Sequence, residues 1–334
     1  MLNIPGTYIL GIFLYTLVII LLADFGRILL KYVFHASWIH SRTAFTVAGA
    51  ICALLILLLS ACGIFHAKYI KTTSYDVIIN KTIPERTSMK VVLLADTHFG
   101  YNAGVLHARE LVRKINKQKP DLVCIAGDIF DNEYDAIRNP EKLEKTLRGI
   151  KSTYGVYACW GNHDLNEEIL AGFTFKHKDG DLSDIKDPRM KKFLEDSNIH
   201  ILEDESVLIN DQFYVIGRKD ASLTEKIHET RKAPAQLTEK LNRDKPIIMI
   251  DHQPKELQEL ADAGVDLDLC GHTHNGQTFP GNFTIKLMWE NPCGLLSKDN
   301  MTNITTSGAG VWGPAMRIGT DSEICSINIQ LKNS

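Results

Sequence analysis

The stretch VVLLADTH, residues 91–98, joins a run of apolar residues to a polar end. The same pattern returns in DLVCIAGD (121–128), GVYACWGNHD (155–164), PIIMIDH (246–252) and GVDLDLCGHTH (264–274). Apolar runs of this length, separated by amphipathic helical patterns, are typical of strands buried on both faces of a sheet. The sequence therefore predicts an α/β domain.

Flanking segments complete that domain. YDVIIN (75–80) alternates as an edge strand does, and PRMKKFLEDS (188–197) has the pattern of a helix. After residue 277, NFTIKLMW (282–289) and EICSINIQL (323–331) predict strands. We expect these last strands to form a second, mostly antiparallel sheet that closes the domain.

Two uncharged stretches, residues 5–23 and 44–65, precede the domain. Each is long enough to cross about 30 Å of hydrocarbon as a helix. A cleaved signal peptide has a basic start, whereas the first 20 residues contain no Lys or Arg. We therefore expect a multi-pass membrane region over residues 1–71, followed by one domain over residues 72–334.

The basic residues around the two apolar stretches bear on orientation. Arg27, Lys31 and Arg42 lie between the stretches, so the positive-inside rule would keep the linker in the cytoplasm and the domain outside. Lys68 and Lys71 follow the second stretch and favour the opposite arrangement. On balance the sequence favours an external domain.

The charge of the domain limits its partners. Residues 1–71 hold five of the 37 Lys and Arg and one of the 40 Asp and Glu, which leaves the rest of the chain a net charge of −7. A nucleic-acid-binding domain would show a basic face instead. The acidic balance also favours bound cations.

Polar residues gather where the predicted strands end, and in open α/β sheets the crevice outside those ends binds ligands. Residues i and i+2 of an extended chain point to the same side, so DxH and HxH each present two side chains together. The candidate metal ligands are Asp96, His98, Asp128, Asn162, His252, His272 and His274. This mixed oxygen and nitrogen set suits Mn, Fe or Zn. Seven ligands exceed the needs of one ion but fit two divalent ions about 3.5–4 Å apart.

In this order, the motifs DxH, GDxxD, GNHD, a single His and GHTH resemble the calcineurin-like metallophosphoesterase family. The resemblance covers roughly residues 88–334. GHTHNGQ, GRKD (217–220) and SGAGVWGPAMRIG (307–319) are most similar to its membrane-associated YkuE-like branch. The resemblance implies a four-layer α/β/β/α sandwich with a dinuclear centre.

The resemblance also implies individual roles for the candidate residues. One metal would be held by Asp96, His98 and His274. The other would be held by Asn162, His252 and His272, with Asp128 as the bridge. His163 would protonate or stabilise the leaving-group oxygen, and Asp164 would orient its ring. The polar stretch after GNHD, which includes His177 and Asp181, departs from the simplest pattern and is expected to form a cap.

For several further residues the sequence allows two different roles. Arg218 and Asp220 in GRKD follow a strand, so they either reach a substrate phosphate or lie in a surface turn. Arg317 either contacts substrate or pairs at the surface. For Trp312, packing is favoured over stacking on a substrate.

Taken together, the motifs predict a membrane-anchored phosphoesterase in which hydroxide, formed from water between two divalent ions, attacks phosphorus. The substrate would be a phosphorylated small molecule or a lipid-linked compound. A UDP-2,3-diacylglucosamine-type pyrophosphate is one alternative. A non-catalytic, metal-binding membrane scaffold is another, but it predicts lost ligands or a missing His163, and all are present. The absence of GxxxxGK[ST] and Cys-x5-Arg excludes the P-loop and the cysteine phosphatase motifs.

Overall fold

The chain forms a pair of long helices followed by a domain with two six-stranded sheets. The computed structural model describes residues 3–170, 173–174 and 185–332. Over these residues the α-helices are α1 Asn3–Tyr32, α2 Arg42–Ala67, α3 Val105–Gln118, α4 Pro140–Leu147, α5 Pro188–Asp196, α6 Ala221–Lys226, α7 Pro234–Thr238, α8 Leu257–Asp262 and α9 Gly281–Met288. The strands are β1 Ile70–Ile79, β2 Ser88–Leu94, β3 Leu122–Ala126, β4 Val156–Cys159, β5 Ile169–Leu170, β6 Phe173–Thr174, β7 Ile199–Ile201, β8 Glu205–Ile209, β9 Phe213–Gly217, β10 Ile247–Ile250, β11 Leu267–Cys270, β12 Gly294–Lys298, β13 Met301–Thr305 and β14 Ser322–Leu331.

Each large sheet has a parallel centre. The first has the order β1-β14-β2-β3-β4-β7, in which β14 pairs antiparallel with β2 and the other pairs are parallel. The second has the order β12-β13-β11-β10-β9-β8, with antiparallel pairs only at its two edges. As predicted, YDVIIN lies in an edge strand, β1.

Successive residues of the central strands point into different layers, because side chains alternate along a strand. Val91 and Leu93 of β2 belong to the core between the two sheets, together with Ile248 of β10. Val92 of β2 packs outward with side chains of α3, α4 and α5. Met249 of β10 packs on the other outer side, with α7 and α8. The expected four-layer α/β/β/α sandwich is confirmed.

The helices α1 and α2 are both long and apolar enough to cross a membrane. They begin earlier and end later than the uncharged stretches predicted, and β1 begins at Ile70, just before the expected domain start. On α1, Thr7, Gly11, Tyr15 and Ile19 are buried at every fourth position, which places them on one face. The N-terminal part of α1 and the C-terminal part of α2 contact the loop before β14, through Thr7 and Gly63.

Two expectations for the C-terminal region were wrong. The second sheet is mostly parallel, because helices connect β9, β10 and β11 and such crossovers join parallel strands. EICSINIQL forms β14, which lies in the first sheet, and NFTIKLMW contains the helix α9 rather than a strand. Phe283, Ile285, Leu287 and Trp289 alternate as in a strand, so the local pattern alone does not predict α9.

Candidate metal centre

Five strand ends meet at one edge of the sandwich. β2, β3 and β4 of the first sheet are followed by DxH, GDxxD and GNHD, and β10 and β11 of the second are followed by His252 and GHTH. The seven candidate ligands thus come from both sheets. The strand-end crevice predicted from the sequence lies here.

The backbone at this edge is tightly folded. A Cβ at Gly161 would overlap the carboxylate of Asp128, and one at Gly271 would lie 2.7 Å from Oδ2 of Asp96. Five of the seven candidate ligands have positive φ angles, namely Asp96, His98, Asp128, His272 and His274. Such conformations cost energy in residues other than Gly and cluster at functional sites.

Asp96, His98 and His274 form a first cluster, in which the ligand-type atoms all lie within 4.8 Å of one another. The Nε2 atoms of the two histidines are 3.1 Å apart. Nε2 of His274 lies 3.8 Å from Oδ1 of Asp96. This set of donors fits one divalent cation.

Asp128, His252 and His272 form a second cluster within the same 4.8 Å limit. Oδ1 of Asn162 joins it, 2.8 Å from Nδ1 of His272 and 3.1 Å from Nε2 of His252. Oδ2 of Asp128 lies 3.1 Å from Nε2 of His252 and 3.9 Å from Nε2 of His98 in the first cluster. Asp128 is therefore placed between the two clusters.

The electrostatics of the two clusters also suit cations. Burial and the charge of Asp128 raise the pKa of Asp96 to about 6. Burial lowers the pKa of His272 to about 3, and burial with the neighbouring cationic groups holds that of His274 well below its usual range. Neighbouring carboxylates, Asp128 among them, instead raise the pKa values of His98 and His252, so these two imidazoles must release a proton when a cation binds. The residues present fit two divalent ions.

Residues behind the ligands hold them in place. Nδ1 of His252 lies 2.7 Å from the carbonyl oxygen of Ala126, which can only accept, so the proton is on Nδ1 and Nε2 faces the cluster. The buried guanidinium of Arg317 donates to the carbonyls of Ser307 and Gly310, at 2.6 and 2.8 Å, and lies 3.1 Å from Nδ1 of His274. Such outer contacts fix the orientation of metal ligands.

Arg317 was expected either to contact substrate or to pair at the surface, and it does neither. Its side chain is 1% exposed and is enclosed by backbone carbonyls. It is a positioning residue beneath His274.

His163 stands beside the clusters. Its backbone N–H donates to Oδ1 of Asp128 at 2.7 Å, and its ring lies 5.3 Å from that of His98. Its Nδ1 lies 2.6 Å from Oδ1 of Asn132, whose amide donates to Glu167 at 3.1 Å. Asn132 therefore accepts from Nδ1–H and orients the ring.

Asp164 does not take the ring-orienting place that was expected for it. Its carboxylate accepts instead from the backbone N–H groups of Phe130 and Gly161, at 2.8 and 2.7 Å. It ties the loop after β3 to the loop after β4. The sequence analysis did not identify Asn132 as the residue that orients His163, although Asn132 directly follows the GDxxD motif that ends at Asp131.

Arg218 and Asp220 have no exposed surface, and their side chains bind Asp251 and Gln253, the residues on either side of His252. Arg218 forms ion pairs with Asp251 and Glu256, each at 2.8 Å. Asp220 caps α6 by accepting from the N–H of Leu223 at 2.7 Å. Neither reading from the sequence, substrate contact or surface turn, matches this buried placement.

Two tryptophans border the clusters. The ring of Trp312 lies 5.7 Å from that of His163, and the ring of Trp289 lies 5.1 Å from that of His272. Trp312 is 40% exposed beside His163, so its ring is only partly packed, and the packing role favoured from the sequence stays a prediction. His177 and Asp181 of the expected cap lie outside the described residues.

Comparison with known proteins agrees with this geometry. A sequence profile of the family described as calcineurin-like phosphoesterase matches residues 89–276. An uncharacterized metallophosphoesterase of Campylobacter jejuni is 32% identical over 74% of this chain and 60% of its own length. A "transmembrane protein with metallophosphoesterase domain" of Bos taurus is 27% identical over 84% of this chain and 62% of its own.

A third relative has a named activity. The UDP-2,3-diacylglucosamine pyrophosphatase LpxG of Chlamydia trachomatis is 23% identical over 74% of this chain and 86% of its own length. The chain spans about three-fifths of the Campylobacter and Helicobacter relatives it matches, 60% in each case.

Proposed function

Because the chain belongs to the calcineurin-like phosphoesterase family, we propose that it is a membrane-anchored hydrolase of phosphate esters or pyrophosphates that uses two divalent metal ions. One observation carries this proposal. Seven donor side chains from five strand ends converge into two clusters, and Asp128 lies between them.

In the proposed centre, Asp96, His98 and His274 would hold one divalent ion, and Asn162, His252 and His272 would hold the other. Asp128, which lies between the clusters, would be shared by both. When bound, the ions supply positive charge for the phosphoryl oxygens and a water of lowered pKa as nucleophile. The contribution of the chain is to orient the imidazoles and the carboxylates, through contacts such as the one from Nδ1 of His252 to the carbonyl of Ala126.

His163 is proposed to act on the leaving group. Its Nδ1–H is engaged by Asn132, so Nε2 is the ring atom that remains to exchange a proton. When protonated there, the ring can donate to the leaving oxygen as the bond to phosphorus breaks.

The proposed substrate class is a lipid-linked phosphodiester or pyrophosphate. Two observations support this class: two helices are long and apolar enough to anchor the domain at a membrane, and the Chlamydia relative is named for a pyrophosphate of the UDP-2,3-diacylglucosamine type. Simple phosphodiesters and monoesters are the alternative. Complete candidate ligands and the presence of His163 argue against a non-catalytic scaffold.

We also propose that the domain lies on the external face. Arg27, Lys31 and Arg42 favour a cytoplasmic linker. Of the two opposing lysines, Lys71 is paired with Asp321 at 3.0 Å, which offsets its charge. Protease treatment of spheroplasts tests this orientation: digestion of the domain without lysis is expected, and protection until lysis would reverse the assignment.

The activity is tested with the purified full-length chain and bis-p-nitrophenyl phosphate as substrate. We expect hydrolysis with added Mn²⁺, its loss with a chelator, and its loss in Asp128→Asn. Asp244→Asn, a change at an exposed carboxylate, serves as the matched control and should retain full activity. Turnover that survives both the chelator and Asp128→Asn would contradict a metal-dependent hydrolase.

The substrate class is tested by comparing a pyrophosphate-linked lipid in vesicles with the soluble diester. A higher kcat/KM for the lipid is expected. A clear preference for soluble diesters would assign the simpler substrate class instead.

A further inference from the structure

The helix α9 and the residues next to it expose an unusual amount of apolar surface. None of the eight residues of α9 is buried. Leu287 and Met288 are 88% and 73% exposed, Phe283 is 60% exposed and Phe279 is 42% exposed. The rings of Phe279 and Phe283 lie 5.7 Å apart, edge to face, and Leu287 follows Phe283 by one turn of α9, so the three side chains form one continuous patch. A patch of large apolar side chains marks a surface that something covers.

This patch is attached to the first membrane helix. The hydroxyl of Tyr15 donates to the carbonyl of Phe279 at 2.9 Å. The backbone N–H of Phe279 donates to the carbonyl of Ile318 at 2.8 Å. In the same loop, the backbone N–H of Arg317 donates to the carbonyl of Gly63 in α2 at 3.0 Å. The patch therefore continues directly from the helix pair.

The length of α1 sets the depth of this contact. A helix needs about 20 residues to cross the hydrocarbon layer. If the crossing part of α1 ends at Tyr32, it begins at about Phe13, and Tyr15 then lies near the boundary between the hydrocarbon and the headgroups. On α2, Gly63 accepts from the backbone N–H of Arg317 and lies near the end of the apolar stretch 44–65, which places this contact at the same boundary.

The other end of the patch adjoins the metal centre. Trp289 directly follows α9 and packs against His272. The ammonium group of Lys255 lies 5.6 Å from the ring of Trp289. A tryptophan with a nearby lysine is typical of the water–lipid boundary.

We propose that residues 279–289, the interfacial segment, lie in the surface layer of the bilayer and make the metal centre open at the level of the lipid headgroups. This inference rests on the proposed membrane anchorage by α1 and α2. The apolar side chains of the segment enter the lipid, while Lys286 and Lys255 face its phosphates. A phosphate in a lipid headgroup then reaches the two clusters without the lipid leaving the membrane.

The segment is tested by placing a fluorescent reporter on it. Leu287→Trp adds a tryptophan at the most exposed apolar position. Leu208→Trp is the matched control, because Leu208 is a 40% exposed residue of β8, at the far edge of the second sheet. Each full-length variant is reconstituted in nanodiscs made with ordinary or brominated lipids, and the fluorescence of the wild type is subtracted.

We expect brominated lipids to quench the added tryptophan of Leu287→Trp several-fold more strongly than that of Leu208→Trp. Equal quenching in nanodiscs that contain the protein would overturn the inference and leave the anchorage intact. If quenching is equal and the chain forms a dimer that the substitution Leu287→Asp dissociates, the patch is instead a contact with a second copy of the chain. Failure of the chain to enter nanodiscs would overturn the anchorage itself, and the inference with it.

Discussion

Nδ1 of His163 lies 2.6 Å from Oδ1 of Asn132. The amide of Asn132 is in turn fixed by Glu167, so its oxygen faces the ring and its nitrogen faces away. This pair determines which nitrogen of His163 is free to meet a substrate. It links the loop after β3 to the loop after β4 at the point where the leaving group would depart.

His163→Ala should leave metal binding intact and remove most turnover. General acid catalysis contributes about 10²–10⁴-fold, so we expect a loss in that range for an alkyl ester, whose leaving group needs a proton. An aryl ester such as p-nitrophenyl phosphate should lose much less. The measurement is kcat for both esters, with metal content determined on the same samples.

Asn132→Ala should reproduce the leaving-group pattern of His163→Ala with a smaller loss, because the ring is present but no longer oriented. An equal loss on both kinds of ester in either variant would contradict the role assigned to His163.

Arg317→Lys should weaken the first ion site and spare the second. The single ammonium nitrogen of a lysine cannot replace the separate contacts that Nε, Nη1 and Nη2 of the guanidinium make with Gly310, Thr320 and Ser307, so the support behind His274 is weakened. Loss of an outer contact of this kind typically lowers metal affinity about 10–100-fold. Mn²⁺ binding isotherms test this, with Arg86→Lys, at the ion pair with Asp121, as the control. Two unchanged binding steps in Arg317→Lys would contradict its role as a positioning residue.

The stability of the domain should fall as the pH rises towards neutrality, in part through Asp268. Burial and the charge of Asp251 raise the pKa of Asp268 to about 7. Its Oδ2 accepts from Asn303 at 2.8 Å, but within the described chain no donor reaches its buried Oδ1. The folded state therefore holds a proton that the unfolded chain releases at about pH 4. The free energy of unfolding should decrease between these two pKa values as pH rises.

Asp268→Asn removes that titration. From about pH 5 to about pH 8, the melting temperature of the variant should depend less on pH than that of the wild type. Near pH 8 the variant should melt at a higher temperature than the wild type. Asp244→Asn, at an exposed site, should keep the wild-type dependence. A variant and wild type with parallel pH curves would show that Asp268 does not titrate in this range.

The central strands and the positions of the seven candidate ligands at their ends were predictable from the sequence, because both depend on local patterns. An apolar run of strand length that ends in DxH or GHTH places its polar residues at a strand end whatever the neighbouring strands do. Parallel strands then bring those ends to one edge. Asp96 and His274 lie in the same cluster for this reason, although 177 residues lie between them in the sequence.

The remaining features depend on contacts that local patterns do not contain. Arg218 is buried because Asp251 and Glu256, from a later strand end and loop, neutralise it. Asn132 orients His163 because two loops happen to meet. In α9, the β-branched Thr284 and Ile285 favour a strand, but no sheet edge is paired with this segment in the structure and its apolar residues are exposed instead.

The most direct test of the dinuclear centre is a titration of the metal-free, full-length chain with Mn²⁺, followed by electron paramagnetic resonance. If Asp128 bridges two ions about 3.5–4 Å apart, the wild type should bind two equivalents and the second should produce the signal of a spin-coupled pair. Asp128→Asn should lose that coupled signal. Binding of a single ion, or of two ions that show no magnetic coupling, would contradict the central claim.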